Sequence, residues 1–231
     1  SLHDALPIST YVPRLFNKVH TGIDCPVKRA VSPEVICRLM TDRKPLPGKL
    51  AFSRDLFVLL FLLRGMPFVD LAFLRRCDLQ GNVITYHRRK TSRKLTVVVG
   101  KEAMEIIQKY MYAIPDSPYL FPIIQNPGKD EYGQYARMLR LQNYRLTQVA
   151  NILGIRDRLS TYTARHTWAT TALRQNYNSS LICDAMGHSS VKVTETYFQP
   201  YRDDEVNRMN SSLITYILSK KKRGTDKKIR S

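Results

Sequence analysis

Acidic residues are scarce in this chain, paired cysteines are missing, and no apolar run is long. Nineteen Asp and Glu stand against thirty-seven Lys and Arg, giving a formal charge of +18 and a pI near 10. That imbalance argues against a basic partner and calls for a polyanion: DNA or RNA first, an anionic membrane second, with a merely solvated ribosomal-type surface as the plain alternative. The longest apolar run, Leu56 to Leu63, covers eight residues between Arg54, Asp55 and Arg64. Crossing a bilayer takes about 20, so the run predicts a buried helix and no membrane partner. Cys25, Cys37, Cys77 and Cys183 form no C-x-x-C pair and have no His at ligand spacing. Neither a zinc site nor a disulfide framework is expected, and the cysteines read as reduced in a cytoplasmic, nucleoid-associated protein. No internal repeat is evident. The chain opens on Ser1 without a signal peptide and reads as a fragment that has lost upstream sequence.

What is present is enough for a core. Hydrophobic residues make up 43% of 231 positions and aromatics 10%, sufficient for one large domain or two modest ones. Residues 1 to 31 scatter Pro7, Pro13, Gly22 and Pro26 among basic residues without a period, as a linker or remnant of an upstream domain would. Ser32-Pro33-Glu34 then supplies an N-cap, a proline at the first helical position and a first-turn acid, followed by Val35, Ile36, Leu39 and Met40 on one face. A second helix is predicted from about Phe52 to Arg64, and a third starts at Pro67 and runs through Leu71 and Leu74.

Between Asp78 and Val99 the period changes. Gly81-Asn82 makes a turn, Val83 to His87 alternates, Thr91-Ser92 makes a second turn, and Leu95 to Val99 is a β-branched run, so a small antiparallel sheet is expected. Helical spacing returns at Ala103, Ile106, Ile107 and Tyr110. After a Pro-rich stretch from Pro115 to Pro127, a long helix runs from about Glu131 to Leu153 and is stopped by Gly154. Three short helices follow: Thr163 to Gln175, Ser179 to Met186 with Gly187 past its end, and one from about Val191 that carries Tyr197. Asp203 to Leu218 forms a last amphipathic helix with Val206, Met209, Leu213, Ile214 and Ile217 inward. The tail from Lys220 to Ser231 carries seven Lys or Arg and one Asp, a charged tail suited to nonspecific phosphate contact. The fold class is α+β, mainly helical with a small antiparallel sheet.

Three groups near the C-terminus suit one phosphate. Arg165 offers a guanidinium that forks onto phosphate oxygens, His188 an imidazole that donates a further hydrogen bond, and Tyr197 an oxygen nucleophile. Cutting a phosphodiester without metal needs such a nucleophile, cations on the non-bridging oxygens, and an acid for the departing 5′ oxygen. A phenol titrates near ~10 in isolation, so neighbouring arginines and a proton acceptor are required. The products are a 3′-phosphotyrosine and a free 5′ hydroxyl, which keeps the bond energy for rejoining.

The run Thr163-Ala164-Arg165-His166-Thr167-Trp168-Ala169, then Met186-Gly187-His188-Ser189-Ser190, then Tyr197 nine residues after His188, resembles the catalytic boxes of the tyrosine recombinase (phage integrase) family. The resemblance spans most of the chain, with a catalytic domain at 32 to 218 between the linker and a basic tail at 219 to 231. It implies Tyr197 as nucleophile, Arg165 and His188 on the phosphate, His166 in a supporting role, and a general-acid lysine on a β-hairpin. Lys90 in Tyr86-His87-Arg88-Arg89-Lys90-Thr91 matches that lysine, with Lys94 the rival if the turn is shifted. It further implies double-stranded DNA as substrate, a homo-oligomer on DNA (a tetramer), and no metal or nucleotide cofactor.

Two positions depart from the family pattern. Aligning the family's acid to Asp70 puts Pro67 where its first arginine stands, and proline cannot bind phosphate. The conjugative-transposon branch resembles this chain over Leu63 to Asp70, and there an arginine two residues before the hairpin lysine is implicated instead, which maps to Arg88. Arg64, one helical turn before Pro67, is the competing substitute, or else closes a helix C-terminus. The second departure is Tyr162, three residues before Arg165, where the family has histidine; it is a poor base near neutrality or simply a packed aromatic. Trp168 reads as core. Asp70 either braces catalytic arginines or caps a turn, and Arg137, Arg140 and Arg145 on the long helix track the DNA backbone or form a solvated face. The reading is a site-specific DNA recombinase or integrase. Type IB topoisomerase-like relaxation and a DNA-binding module with a decayed active site are the alternatives.

Overall fold

A computed structural model describes residues 30–188 and 210–214. The first 29 residues, the segment 189–209 that includes Tyr197, and the segment 215–231 with the basic tail lie outside the described residues.

At the centre stands the apolar run. Helix α2 (Gly48–Leu62) buries Leu56, Phe57, Val58, Leu59 and Leu60 together, and a helix that is apolar all round finds partners on every side. Those partners are α1 (Pro33–Thr41), α4 (Lys101–Tyr110), α5 (Glu131–Leu153) and α6 (Thr161–Arg174). Sequence spacing put the start of α2 near Phe52; Pro47 takes the N-cap position instead, and the helix begins a turn earlier. The core also reaches back past Ser32, because Val31 is buried and its N–H donates to Thr167 Oγ1 at 3.0 Å.

Helix α2 ends on two consecutive left-handed residues, Arg64 (φ 60°) and Gly65 (φ 64°). The short helix α3 (Phe68–Ala72) follows, with Pro67 as its N-cap and Asp70 in its first turn. A three-stranded antiparallel sheet comes next: β1 (Leu79–Gln80), β2 (Val83–His87) and β3 (Lys94–Val98), in that order. The register pairs Ile84 with Val97 and His87 with Lys94. The hairpin turn therefore spans 88 to 93, closed by Arg88 N–H to Arg93 O at 2.8 Å and Ser92 N–H to Arg88 O at 2.7 Å.

Helix α5 has the bounds its sequence predicts. Asp130 accepts from Gly133 N–H at the N-terminus, and Gly154 takes the left-handed C-cap. Helix α6 starts at Thr161, two residues before the predicted Thr163, because Ser160 and Thr163 form a capping box across that turn. Helix α7 (Ser179–Met186) ends on left-handed Gly187. Of the last predicted helix, only 210–214 is described; it is helical and leaves Leu213 and Ile214 exposed.

Candidate active site

The capping box fixes where α6 begins, which sets Arg165 on its inner face, 3% exposed. One guanidinium nitrogen donates to Gly65 O, and the other to Met186 O at 3.0 Å. Two distant main-chain carbonyls, one from the end of α2 and one from the end of α7, thus hold the fork from opposite sides. The same nitrogen that reaches Met186 O lies 2.7 Å from His188 Nε2. A guanidinium only donates, so Nε2 accepts and the ring proton sits on Nδ1. His188 is 3% exposed, and its pKa is pushed down to about 3, by burial first and then by Arg165, Arg88 and Lys90. The imidazole is neutral across the physiological range.

Arg88 reaches this pocket from the hairpin. It is 7% exposed, donates to Gly187 O at 2.6 Å, and lies 3.8 Å from an Asp70 carboxylate oxygen. The other Asp70 oxygen accepts from Arg89 N–H at 3.0 Å. Of the two uses left open for Asp70, bracing an arginine is the one the geometry brings about. Burial raises the Asp70 pKa against the pull of the Arg89 N–H, Arg88 and Arg165. Tyr86 on β2 is buried alongside, its phenol pushed up by burial and by Asp70.

Two glycines permit these approaches. A Cβ on Gly65 would stand 3.0 Å from Arg165 Cα, and one on Gly187 would stand 2.8 Å from Leu95 Cδ1 and 3.1 Å from Arg88 Cδ. Both also have positive φ, which side-chain-bearing residues adopt only at a cost.

The remaining expected residues fall in different places. Lys90 is exposed in the hairpin turn, and its charge reaches His188; Lys94 opens β3 and is also exposed. Arg64 donates to Thr96 O at 3.2 Å and lines an apolar groove with Phe61, Trp168 and Leu181, while its charge acts on Tyr86 together with those of Arg165 and Arg88. Tyr162 is 48% exposed and meets the buried His166 edge-on, ring centroids 4.7 Å apart. Trp168, expected in the core, is only partly buried: it packs on a small cluster of Ala169, Ile182 and Met186 and forms the groove wall. Arg137 pairs with Asp130 at 3.6 Å on the surface. Tyr197, Ser189 and Ser190 lie outside the described residues.

Sequence reasoning passed over Gly65, Thr91 and Arg93 as contributors. An arginine-glycine pair directly after the apolar run was the available signal for Gly65. For Arg93 there was none, because its partners lie more than ninety residues away.

Chemically, the buried pocket sets two guanidiniums against one carboxylate with a raised pKa. That leaves about one positive charge out of water, the complement of one phosphodiester anion. Among the described residues no group of three or more metal-binding side chains occurs, and no helix is long and apolar enough to cross a membrane.

The profile of the phage integrase family matches residues 30–203. The chain belongs to the phage integrase family. The tyrosine recombinase XerC of Thermodesulfovibrio yellowstonii is 26% identical over 167 residues, 66% of this chain and 52% of that protein; the family member described here spans about half the length of that relative. Among solved structures, the XerA recombinase is 20% identical over 79% of this chain and 64% of its own, with a TM-score of 0.56. The Tn1549 transposon integrase in complex with transposon right-end DNA is 15% identical over 83% and 68%, with a TM-score of 0.62. At these identities the likeness is one of fold, and the helical domain with its small sheet is the phage integrase fold.

Proposed function

We propose that residues 32 to 218 form the catalytic domain of a site-specific tyrosine recombinase that cuts and rejoins duplex DNA through a 3′-phosphotyrosine. The observation that carries this is the convergence of Arg165, His188 and Arg88 in one buried, net-positive pocket of a phage integrase family chain. The formal charge of +18 suits a DNA duplex, and relatives of this fold have been solved on DNA.

Arg165 and Arg88 hold the non-bridging oxygens, and His188 donates through Nδ1–H. Tyr197 Oη attacks phosphorus; the tyrosyl ester bond forms, the bond to the 5′ oxygen breaks, and that oxygen takes a proton from Lys90. The phenol proton leaves to water, since Tyr162 is a poor base and half exposed. Arg88 replaces the arginine that Pro67 displaces, and Arg64 does not, because Arg88 shares the Gly187–His188 turn with the imidazole whereas Arg64 is engaged on β3. His166 supports the head of α6 from its buried position.

The active form is a multimer on two duplexes. The exposed Leu213 and Ile214 and the apolar groove of about 510 Å³ beside Trp168 support docking of the C-terminal helix on a neighbouring subunit.

Covalent trapping tests the proposal. On nicked duplexes drawn from the DNA flanking the gene, the unaltered chain is expected to form a denaturant-resistant adduct and Tyr197→Phe none. Equal DNA binding with no adduct from either would make this a DNA-binding module instead.

A further inference from the structure

Three side chains of one hairpin turn converge on two consecutive carbonyls. Arg88 donates to Gly187 O at 2.6 Å, Thr91 Oγ1 donates to the same oxygen at 3.4 Å, and Arg93 donates to His188 O at 3.2 Å. Arg93 also holds Asp184 in the last turn of α7 at 3.0 Å. Lys90 lies between these anchors, in a turn closed on itself by main-chain hydrogen bonds between Arg88 and Arg93. On the other side, His188 is held by Arg165 through its ring. The turn that carries the lysine and the turn that carries the imidazole are therefore one clasped unit, although they are about a hundred residues apart in sequence.

Resting on the recombinase reading above, the geometry points to Arg93 as a positioning residue that fastens the Lys90 turn to the His188 turn, so that the proton donor and the phosphate-binding imidazole reach the DNA in fixed relation. Arg93 acts through Lys90 and does not touch the phosphate. Its ion pair with Asp184 is solvent-exposed, with side chains 41% and 66% accessible, and pairs of that kind add little to stability. Its bond to His188 O also crosses between two elements that no β-ladder joins. What it supplies is placement.

The test compares ordinary DNA with DNA carrying sulfur in place of the 5′ bridging oxygen at the cleavage site. A thiolate leaves without a proton, so a defect in proton donation disappears on the sulfur substrate. Lys90→Ala is expected to lose cleavage on oxygen and recover it on sulfur. Arg93→Ala is expected to be slower by about tenfold on oxygen, part of the ~10²–10⁴-fold that a positioned proton donor supplies, to recover on sulfur, and to bind DNA unchanged. Equal loss on both substrates, or no loss on either, overturns the proposal. Deuterium exchange on the full chain decides the clasp independently of the chemistry: Arg93→Ala should quicken exchange in residues 88–93 and at 187–188 together, and unchanged exchange at 187–188 overturns it. If Lys90→Ala itself fails to recover on sulfur, the general-acid role of Lys90 falls, and the exchange measurement still judges Arg93.

Discussion

The middle of α2 and the pocket around Arg165 are equally dry and are held by opposite means. Leu56, Phe57, Leu59 and Leu60 are fully buried among apolar side chains, an interaction without direction that rewards area and volume. Arg165, Arg88 and His188 are nearly as buried, yet each is fixed by named donors and acceptors: Gly65 O, Met186 O, Gly187 O. The first region tolerates any set of side chains that fills the space. The second depends on direction, because Gly65 O, Met186 O and Gly187 O each accept from a guanidinium placed to meet them. Stability is concentrated in one, and the proposed chemistry is assigned to the other.

The sharpest way to break this contrast is Phe57→Ala, which should cost about 3–5 kcal/mol of folding free energy while leaving cleavage per folded molecule unchanged. Denaturant unfolding alongside adduct formation measures both, and a variant with normal stability would show that α2 is not the centre of the core. The mirror experiment, Arg88→Ala, should slow adduct formation by about 10²–10³-fold, as loss of one transition-state donor does. It should also lower stability by about 1–3 kcal/mol, because Asp70 loses the guanidinium beside it and the Gly187 carbonyl keeps only the longer bond from Thr91 Oγ1. Arg64→Ala in parallel should change cleavage by less than about threefold, in line with a surface contact; reversal of the two effects would transfer the phosphate role to Arg64.

An acid dependence is expected as well. His188 in the folded chain titrates near 3, below its value of about 6.5 in an unfolded chain. As pH falls below about 6.5 the unfolded state binds a proton that the folded state refuses, so stability is lost down to about 3 and levels off beneath it. Asp70, raised by burial, contributes in the opposite sense, and the difference between the unaltered chain and His188→Gln isolates the histidine. Ring-carbon NMR shifts of His188 should show no titration above about pH 5 without DNA and an upward shift once a phosphate lies against Nδ1; a midpoint near 6.5 in the free protein would mean that the ring is not held by Arg165.

Local chemistry is what sequence displayed well. The bounds of α5 followed from a helical period ended by Gly154, and those of α7 from Ser179 and Gly187, because caps act within one turn of the chain. The hairpin followed from alternation and two turns, apart from the two-residue strand β1, too short to carry a pattern. Arg165 and His188, singled out through the order and spacing of two boxes, lie 2.7 Å apart. What lay hidden was contact over distance: the Gly65 approach to Arg165, a hundred positions along, and the three-sided grip on the Gly187–His188 carbonyls. Trp168 misled because a large aromatic reads as core, whereas the contact between α6 and α7 leaves it at a groove edge.

The left-handed pair Arg64–Gly65 aims a main-chain oxygen at a guanidinium on another helix. A single residue added or removed between Leu63 and Phe68 would swing that oxygen away and leave Arg165 unsupported on one side. Related proteins should consequently keep this connection at constant length.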